Sequence, residues 1–120
     1  MNQTVMIVDD SFFMRNILRG MLEEKGYVVV AEAASAIETM KKLHTHKPDI
    51  ILLDIILPDS SSLDLLQSII EALPESSVVV CSAIGQELVI QRALELGAKA
   101  FIQKPFTPEK VIGVLESLGG

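Results

Sequence analysis

Residues 50–58 read IILLDIILP, and the aspartate inside that run, Asp54, decides how the rest of the chain is read. A lone carboxylate in apolar surroundings is costly, so a charge at this place needs a partner or a route to water. The residues before it are short, aliphatic and uninterrupted, as in a strand buried on both faces. Asp54 then falls just past the carboxyl end of that strand, where its side chain can emerge.

Working outward, four more runs of the same kind appear: Thr4–Val8 (TVMIV), Tyr27–Ala31 (YVVVA), Ser77–Cys81 (SVVVC) and Lys99–Ile102 (KAFI), with Asp49–Leu53 (DIILL) as the central one. Amphipathic stretches separate them. Phe13, Ile17, Leu18, Met21 and Leu22 share one face of a first helix, which Gly26 closes. Ser35 and Glu38 have capping-box spacing at the start of a second. Leu63, Leu66, Ile69, Ile70 and Leu73 stripe a third that stops at Pro74. A fourth runs from near Gly85 to Gly97. The fifth has Thr107 as N-cap and Pro108 at its first position, and buries Val111, Ile112, Leu115 and Leu118. Five strands alternating with five helices predict a (βα)5 α/β fold: a doubly wound, five-stranded parallel sheet with helices on both faces.

The totals set limits on function. The chain has 120 residues, the size of one domain, and the reading is a single domain over 1–120. With 49% hydrophobic residues it has enough apolar material for a core, but no run is long enough to span a bilayer. Residues 1–10 lack the pattern of a signal peptide. The single cysteine, Cys81, cannot form an internal disulfide and reads as a buried small hydrophobe. A cytoplasmic protein without a membrane segment is the expectation. The formal charge of −6, with no basic run, argues against direct nucleic-acid binding.

In open parallel sheets, ligands bind outside the carboxyl ends of the strands. Here those ends carry Asp9 and Asp10, Asp54, Ser82, and Lys104 followed by Pro105. Each has an ordinary structural reading when taken singly. Asp9 or Asp10 can cap the first helix with Ser11, Ser82 can form a turn, and Lys104 can be a solvated charge. Together they are harder to dismiss. Three clustered carboxylates repel unless a proton or a cation joins them. A hard divalent cation suits such oxygens, and magnesium suits them best, because it keeps several waters and often also holds a phosphoryl oxygen. A lysine and a hydroxyl then serve an incoming anion, with one aspartate as covalent acceptor.

The motifs VDD (8–10), LLDIILP (52–58), SA (82–83) and KPF (104–106), in this order and spacing, resemble the receiver domain of the response regulators of two-component systems. DDSFFMR (9–15) and CSAIGQ (81–86) are most similar to the chemotaxis-type single-domain regulators. The resemblance implies a flavodoxin-like sheet of order 2-1-3-4-5, which is the order known for this family. It implies that Asp54 accepts phosphate from a histidine kinase. Asp10 would be a direct magnesium ligand and Asp9 an acid acting through water, with the backbone carbonyl of Ile56 completing the protein ligands. Ser82 and Phe101 would be the switch pair, Phe101 turning inward on activation, although aromatic burial as plain core is the default for such a ring. Lys104 would pair with the phosphoryl oxygens, and its bond to Pro105 would be cis. A downstream protein would dock on the face made by the fourth helix, fifth strand and fifth helix, and the chain would be a monomer or a weak phosphorylation-dependent dimer.

Two departures from the family pattern stand out. Asp59-Ser60-Ser61-Ser62 replaces a turn that usually ends in glycine, so Ser62 is expected to bear strain if that position needs positive φ, and the loop to differ in shape or mobility. Ile56 and Ile84 are apolar at positions that govern access of water, implying a long-lived phosphoryl group. Competing readings are a receiver half of a longer regulator with an output domain, an aspartyl-nucleophile phosphatase, and a flavin or nucleotide binder. The phosphatase lacks a second acid at position 56. The nucleotide binder lacks a glycine-rich loop, and Tyr27 is the lone tyrosine in a chain without tryptophan. His44 and His46, without further ligands, read as solvated.

Overall fold

A computed structural model describes residues 3–119. In chain order the elements are β1 (Thr4–Val8), α1 (Phe12–Glu24), β2 (Val28–Ala33), α2 (Ala36–His46), β3 (Ile50–Asp54), β4 (Ile56–Leu57), β5 (Ser60–Ser61), α3 (Ser62–Ala72), β6 (Ser77–Ser82), α4 (Glu87–Leu96), β7 (Ala100–Gln103) and α5 (Pro108–Gly119). Five strands form one parallel sheet in the order β2-β1-β3-β6-β7. This is the doubly wound order that the resemblance implies. β4 and β5 form a separate antiparallel ribbon that was not expected. Met1, Asn2 and Gly120, which the single-domain reading includes, lie outside the described residues.

The pleat sorts the strand side chains into two cores. Val5 and Ile7, Ile50 and Leu52, Val79 and Cys81, and Ile102 pack with Leu18, Leu22, Val111 and Leu115 of α1 and α5. Met6 and Val8, Ile51 and Leu53, and Val78 and Val80 pack with Leu43, Leu66, Ile69 and Ile90 of α2, α3 and α4. Alternation of side chains along a strand is the cause. It also has consequences for the polar ends. Asp9 and Asp54 continue the phase that faces α1 and α5, whereas Ser82 continues the opposite one.

Helix ends follow local chemistry closely. Tyr27 N–H bonds the Leu22 carbonyl at 3.0 Å and Gly26 N–H that of Glu23 at 3.1 Å, with Gly26 at φ +89°. This is a Schellman turn, and Gly26 stands one residue beyond the cap, Lys25. Ser35 Oγ accepts from Glu38 N at 3.1 Å, while the Glu38 carboxylate reaches back to Ala34 N at 2.6 Å. Thr107 caps α5 through Lys110 N at 3.2 Å.

Two expectations need correction. Phe13 is 70% exposed and does not join the stripe of Leu18 and Leu22. Helical geometry turns it about 140° from Leu18 and about 180° from Leu22, off the stripe that faces the sheet. Ser62 is not strained either. Among the described residues the non-glycine position with positive φ is Lys47, at 41°. Ser62 instead begins α3, and the glycine it replaces is not needed in this geometry.

The difference between a core side chain such as Leu66 and the exposed Phe13 is measurable. Leu66→Ala, which empties a fully buried position, should lower stability by about 2–5 kcal/mol. Phe13→Ala should change it by less than about 0.5 kcal/mol. Urea unfolding should register the first as a lower midpoint at constant slope, and the second as no shift.

Candidate phosphoacceptor and metal site

Asp54 is the last residue of β3 and its side chain is only 9% exposed. Its Oδ1 accepts from the N–H of Ile56 at 3.1 Å, and its Oδ2 lies 3.5 Å from Lys104 Nζ. The same ammonium stands 3.8 Å from Asp9 Oδ2. Asp9, also buried, accepts from Ser11 N through Oδ1 at 2.9 Å. The helix-cap role belongs to Ser11, whose hydroxyl accepts from Met14 N at 3.2 Å. That leaves Asp10 exposed and free of helix capping.

Ligand oxygens of Asp9, Asp10 and Asp54 all lie within 4.8 Å of one another. Opposed oxygens around magnesium sit about 4.2 Å apart, given metal–oxygen bonds of about 2.0–2.1 Å. The three carboxylates therefore fit a small hard cation with little movement, and the exposure of Asp10 leaves one side open to water. Among the described residues this is the one such cluster of acids, histidines and cysteines. His44 and His46 are both exposed, at the far end of α2.

Ser82 closes β6 and is almost fully buried, yet its hydroxyl has no hydrogen-bond partner. A buried polar group without a partner is costly and calls for an explanation. The next N–H, of Ala83, is taken by Gln86 Oε1 at 2.7 Å. Lys104 N–H bonds the Ser82 carbonyl at 2.7 Å, tying β7 to the same rim. The Lys104–Pro105 bond is cis, as the resemblance implies. Phe101 is 43% exposed, so its ring does not fill the core.

Burial pushes the Asp54 carboxyl above its ordinary range. The Ile56 N–H opposes that shift, Asp9 adds to it, and Lys104 opposes it again. Burial, with the Asp54 charge second, also drives the Cys81 thiol far up, which suits an inert core residue.

Several supporting residues gave no sign in the sequence. Arg15 donates to the Asp9 carbonyl at 2.6 Å and pairs with Glu32 at 2.9 Å. Arg19 reaches the same Glu32 at 2.6 Å. Burial raises the Glu32 carboxyl, but the bonds from Arg19 and Arg15 outweigh it and leave it below its usual range. Asp59 accepts from Ala36 N at 2.8 Å and Ile37 N at 3.1 Å, and these bonds hold its carboxyl low. Helical spacing could have paired Arg15 with Arg19. Nothing local announces Glu32 or the cross-chain reach of Asp59.

The sequence profile of response regulator receiver domains matches residues 5–116. The chain belongs to the response regulator receiver family. It is 38% identical over 118 residues to the chemotaxis protein CheY of Thermotoga maritima, covering 98% of each chain. Among solved structures, this receiver resembles the CheX–CheY–BeF3–Mg2+ complex from Borrelia burgdorferi, with a TM-score of 0.93 and 32% identity over 98% of this chain and 90% of that one. It also resembles NtrX from Brucella abortus, with a TM-score of 0.92 and 30% identity, but over only 26% of that chain. No helix among the described residues of this receiver is long and apolar enough to cross a membrane.

The raised Asp54 carboxyl fixes the sign of a pH effect. The unfolded chain ionises this group at lower pH than the folded chain does. The cost to folding is therefore absent below the ordinary carboxylate range and grows as pH rises through it towards the raised value. Metal-free Asp54→Asn should melt above the wild type at pH 7. The two proteins should converge at low pH, and thermal melts across pH in the presence of a chelator would show it.

Proposed function

We propose that this receiver is a phosphorylation-driven signalling switch that takes a phosphoryl group from a histidine kinase onto Asp54. The observation that carries the reading is the meeting of a buried acceptor carboxylate with Lys104 at 3.5 Å, two further acids, and the orphan hydroxyl of Ser82. An Asp54 oxygen attacks the phosphorus of a phosphohistidine. The new P–O bond forms as the P–N bond breaks, and the imidazole nitrogen keeps the electron pair. The product is an acyl phosphate. Lys104 is placed to neutralise its oxygens, and Ser82 has a free donor to offer one of them.

Magnesium is the cation that suits Asp9, Asp10 and Asp54, with the Ile56 carbonyl as a further ligand and Asp9 acting through water; when bound, it supplies positive charge to the carboxylates and the phosphoryl oxygens. The magnesium in the Borrelia complex supports that choice, and BeF3 matches a phosphoryl group in shape and charge. The presence of CheX in the same complex supports a protein as the downstream target. The face formed by α4, β7 and α5 suits such a target, because Leu88 and Phe101 expose apolar surface there. Drawing Ser82 and the 82–86 loop towards the phosphoryl group would let Phe101 move inward. Moving such an equilibrium from mostly off to mostly on takes about 5.5 kcal/mol of differential interaction.

A chemotaxis role in the cytoplasm is the reading favoured by the CheY likeness. In that role the chain is a phosphoacceptor that catalyses its own phosphoryl transfer and slow self-hydrolysis, not a turnover enzyme. It acts as a monomer or weak phosphorylation-dependent dimer, without direct nucleic-acid contact. The NtrX match, to about a quarter of a longer chain, favours one second reading: the receiver part of a regulator with a separate output domain.

Intact mass after incubation with acetyl phosphate tests the reading. With magnesium, the wild type should gain one phosphoryl group, whereas Asp54→Asn, or the wild type without magnesium, should gain none. Repeated hydrolysis of a small phosphoester would point to a phosphatase instead. Rapid loss of the added mass on removing the donor would contradict the protection expected from Ile56 and Ile84.

A further inference from the structure

The chain leaves the main sheet immediately after Asp54. Ile55 N–H still reaches the Cys81 carbonyl at 3.0 Å, and beyond it the backbone enters the β4–β5 ribbon, where Ile56 pairs with Ser61 and Leu57 with Ser60. At the end of that ribbon the buried Ser62 turns back. Its hydroxyl donates to the Asp54 carbonyl at 3.0 Å and to the carbonyl of Ile55. A hydroxyl has one hydrogen, so the two carbonyls share it. Meanwhile Ile56 N–H holds Asp54 Oδ1 at 3.1 Å. The circuit closes on itself: acceptor backbone, Ser62, ribbon, Ile56 N–H, acceptor carboxylate. The outer tip of the same loop is fixed too, since Asp59 binds two N–H groups at the start of α2.

We infer that Ser62 is a positioning residue for the acceptor. By holding the carbonyls of Asp54 and Ile55, it sets the direction of the Ile56 backbone and, through the Ile56 N–H, the direction of the Asp54 carboxylate. This deepens the proposed function and rests on it for its consequence, because both the carboxylate and the Ile56 carbonyl are assigned to the cation. Ser62 touches neither the cation nor the phosphoryl group. It acts through the residues that do, and outer partners of this kind commonly alter metal affinity by about tenfold or more.

Two readouts test it, with Ser62→Ala as the main variant, Ser62→Gly as a second deletion of the hydroxyl, and Ile69→Val as a control for mild loss of packing in α3. The first is hydrogen exchange of the Ile56 amide by NMR in the presence of a chelator. It should quicken about fivefold in both Ser62 variants, as expected for one weakened hydrogen bond, and stay at the wild-type rate in Ile69→Val. The second is titration with Mg2+ alone, whose dissociation constant should rise about tenfold in the Ser62 variants only. An unchanged Ile56 rate in the Ser62 variants, or an equal acceleration in Ile69→Val, overturns the inference. If the wild type itself binds no Mg2+ and takes no phosphoryl group, the proposed function fails, and the Ile56 exchange still decides whether Ser62 orients the carboxylate.

Discussion

Taking the Asp54 carboxylate out of water is the constraint on which the rim depends. The group ends a strand that is buried on both faces, so solvent cannot stabilise its charge from either side. Lys104 from one strand end and the Ile56 N–H from the next segment supply part of what water would have given. Asp9 works against them, because it brings a second negative charge to the same place. The balance leaves a carboxylate that is buried, in need of a cation, and more basic than its kind. These properties suit a nucleophile better than they suit a structural charge. The loops around it then have one common task, which is to hold donors and acids at fixed distances without filling the centre.

Ser82 shows the same economy from the other direction. Its hydroxyl is buried and unpaired, while the loop that follows is held by Gln86 on the Ala83 N–H. A buried donor without a partner is costly, and an acceptor placed beside it would offset that cost. Gly85, at φ +94°, gives this loop a backbone state that few other residues tolerate.

Much of this was legible in the sequence, for a definite reason. Strand runs such as TVMIV and SVVVC, the Ser35/Glu38 pair and the Thr107-Pro108 start are local signals, and local signals survive into the fold. The positions of Asp9, Asp10, Asp54, Ser82 and Lys104 were legible because parallel strands deliver their carboxyl ends to one edge. What escaped was set by contacts across the chain. Asp59 caps a helix that begins 23 residues before it. Glu32 gathers Arg15 and Arg19 from another element. Phe13 shares an i+4 step with Ile17 but is turned away from Leu18 and Leu22, so it falls off the face those two bury. Ser62 was misjudged because a side chain's value to a backbone eight residues earlier cannot be seen from its own neighbours.

The two-faced pleat has a further consequence for how such a chain can be altered. Asp9 and Asp54 meet because both fall on the α1/α5 phase of their strands. Deleting one residue from β3 would leave the composition almost untouched, yet it would swing the Asp54 carboxylate to the α3/α4 side, away from Lys104 and the acids. Loops on the rim can grow or shrink by any number without this penalty. Strand lengths here can change only in steps of two. The place of Asp54 is thus protected less by its immediate neighbours than by a parity rule running the length of the sheet.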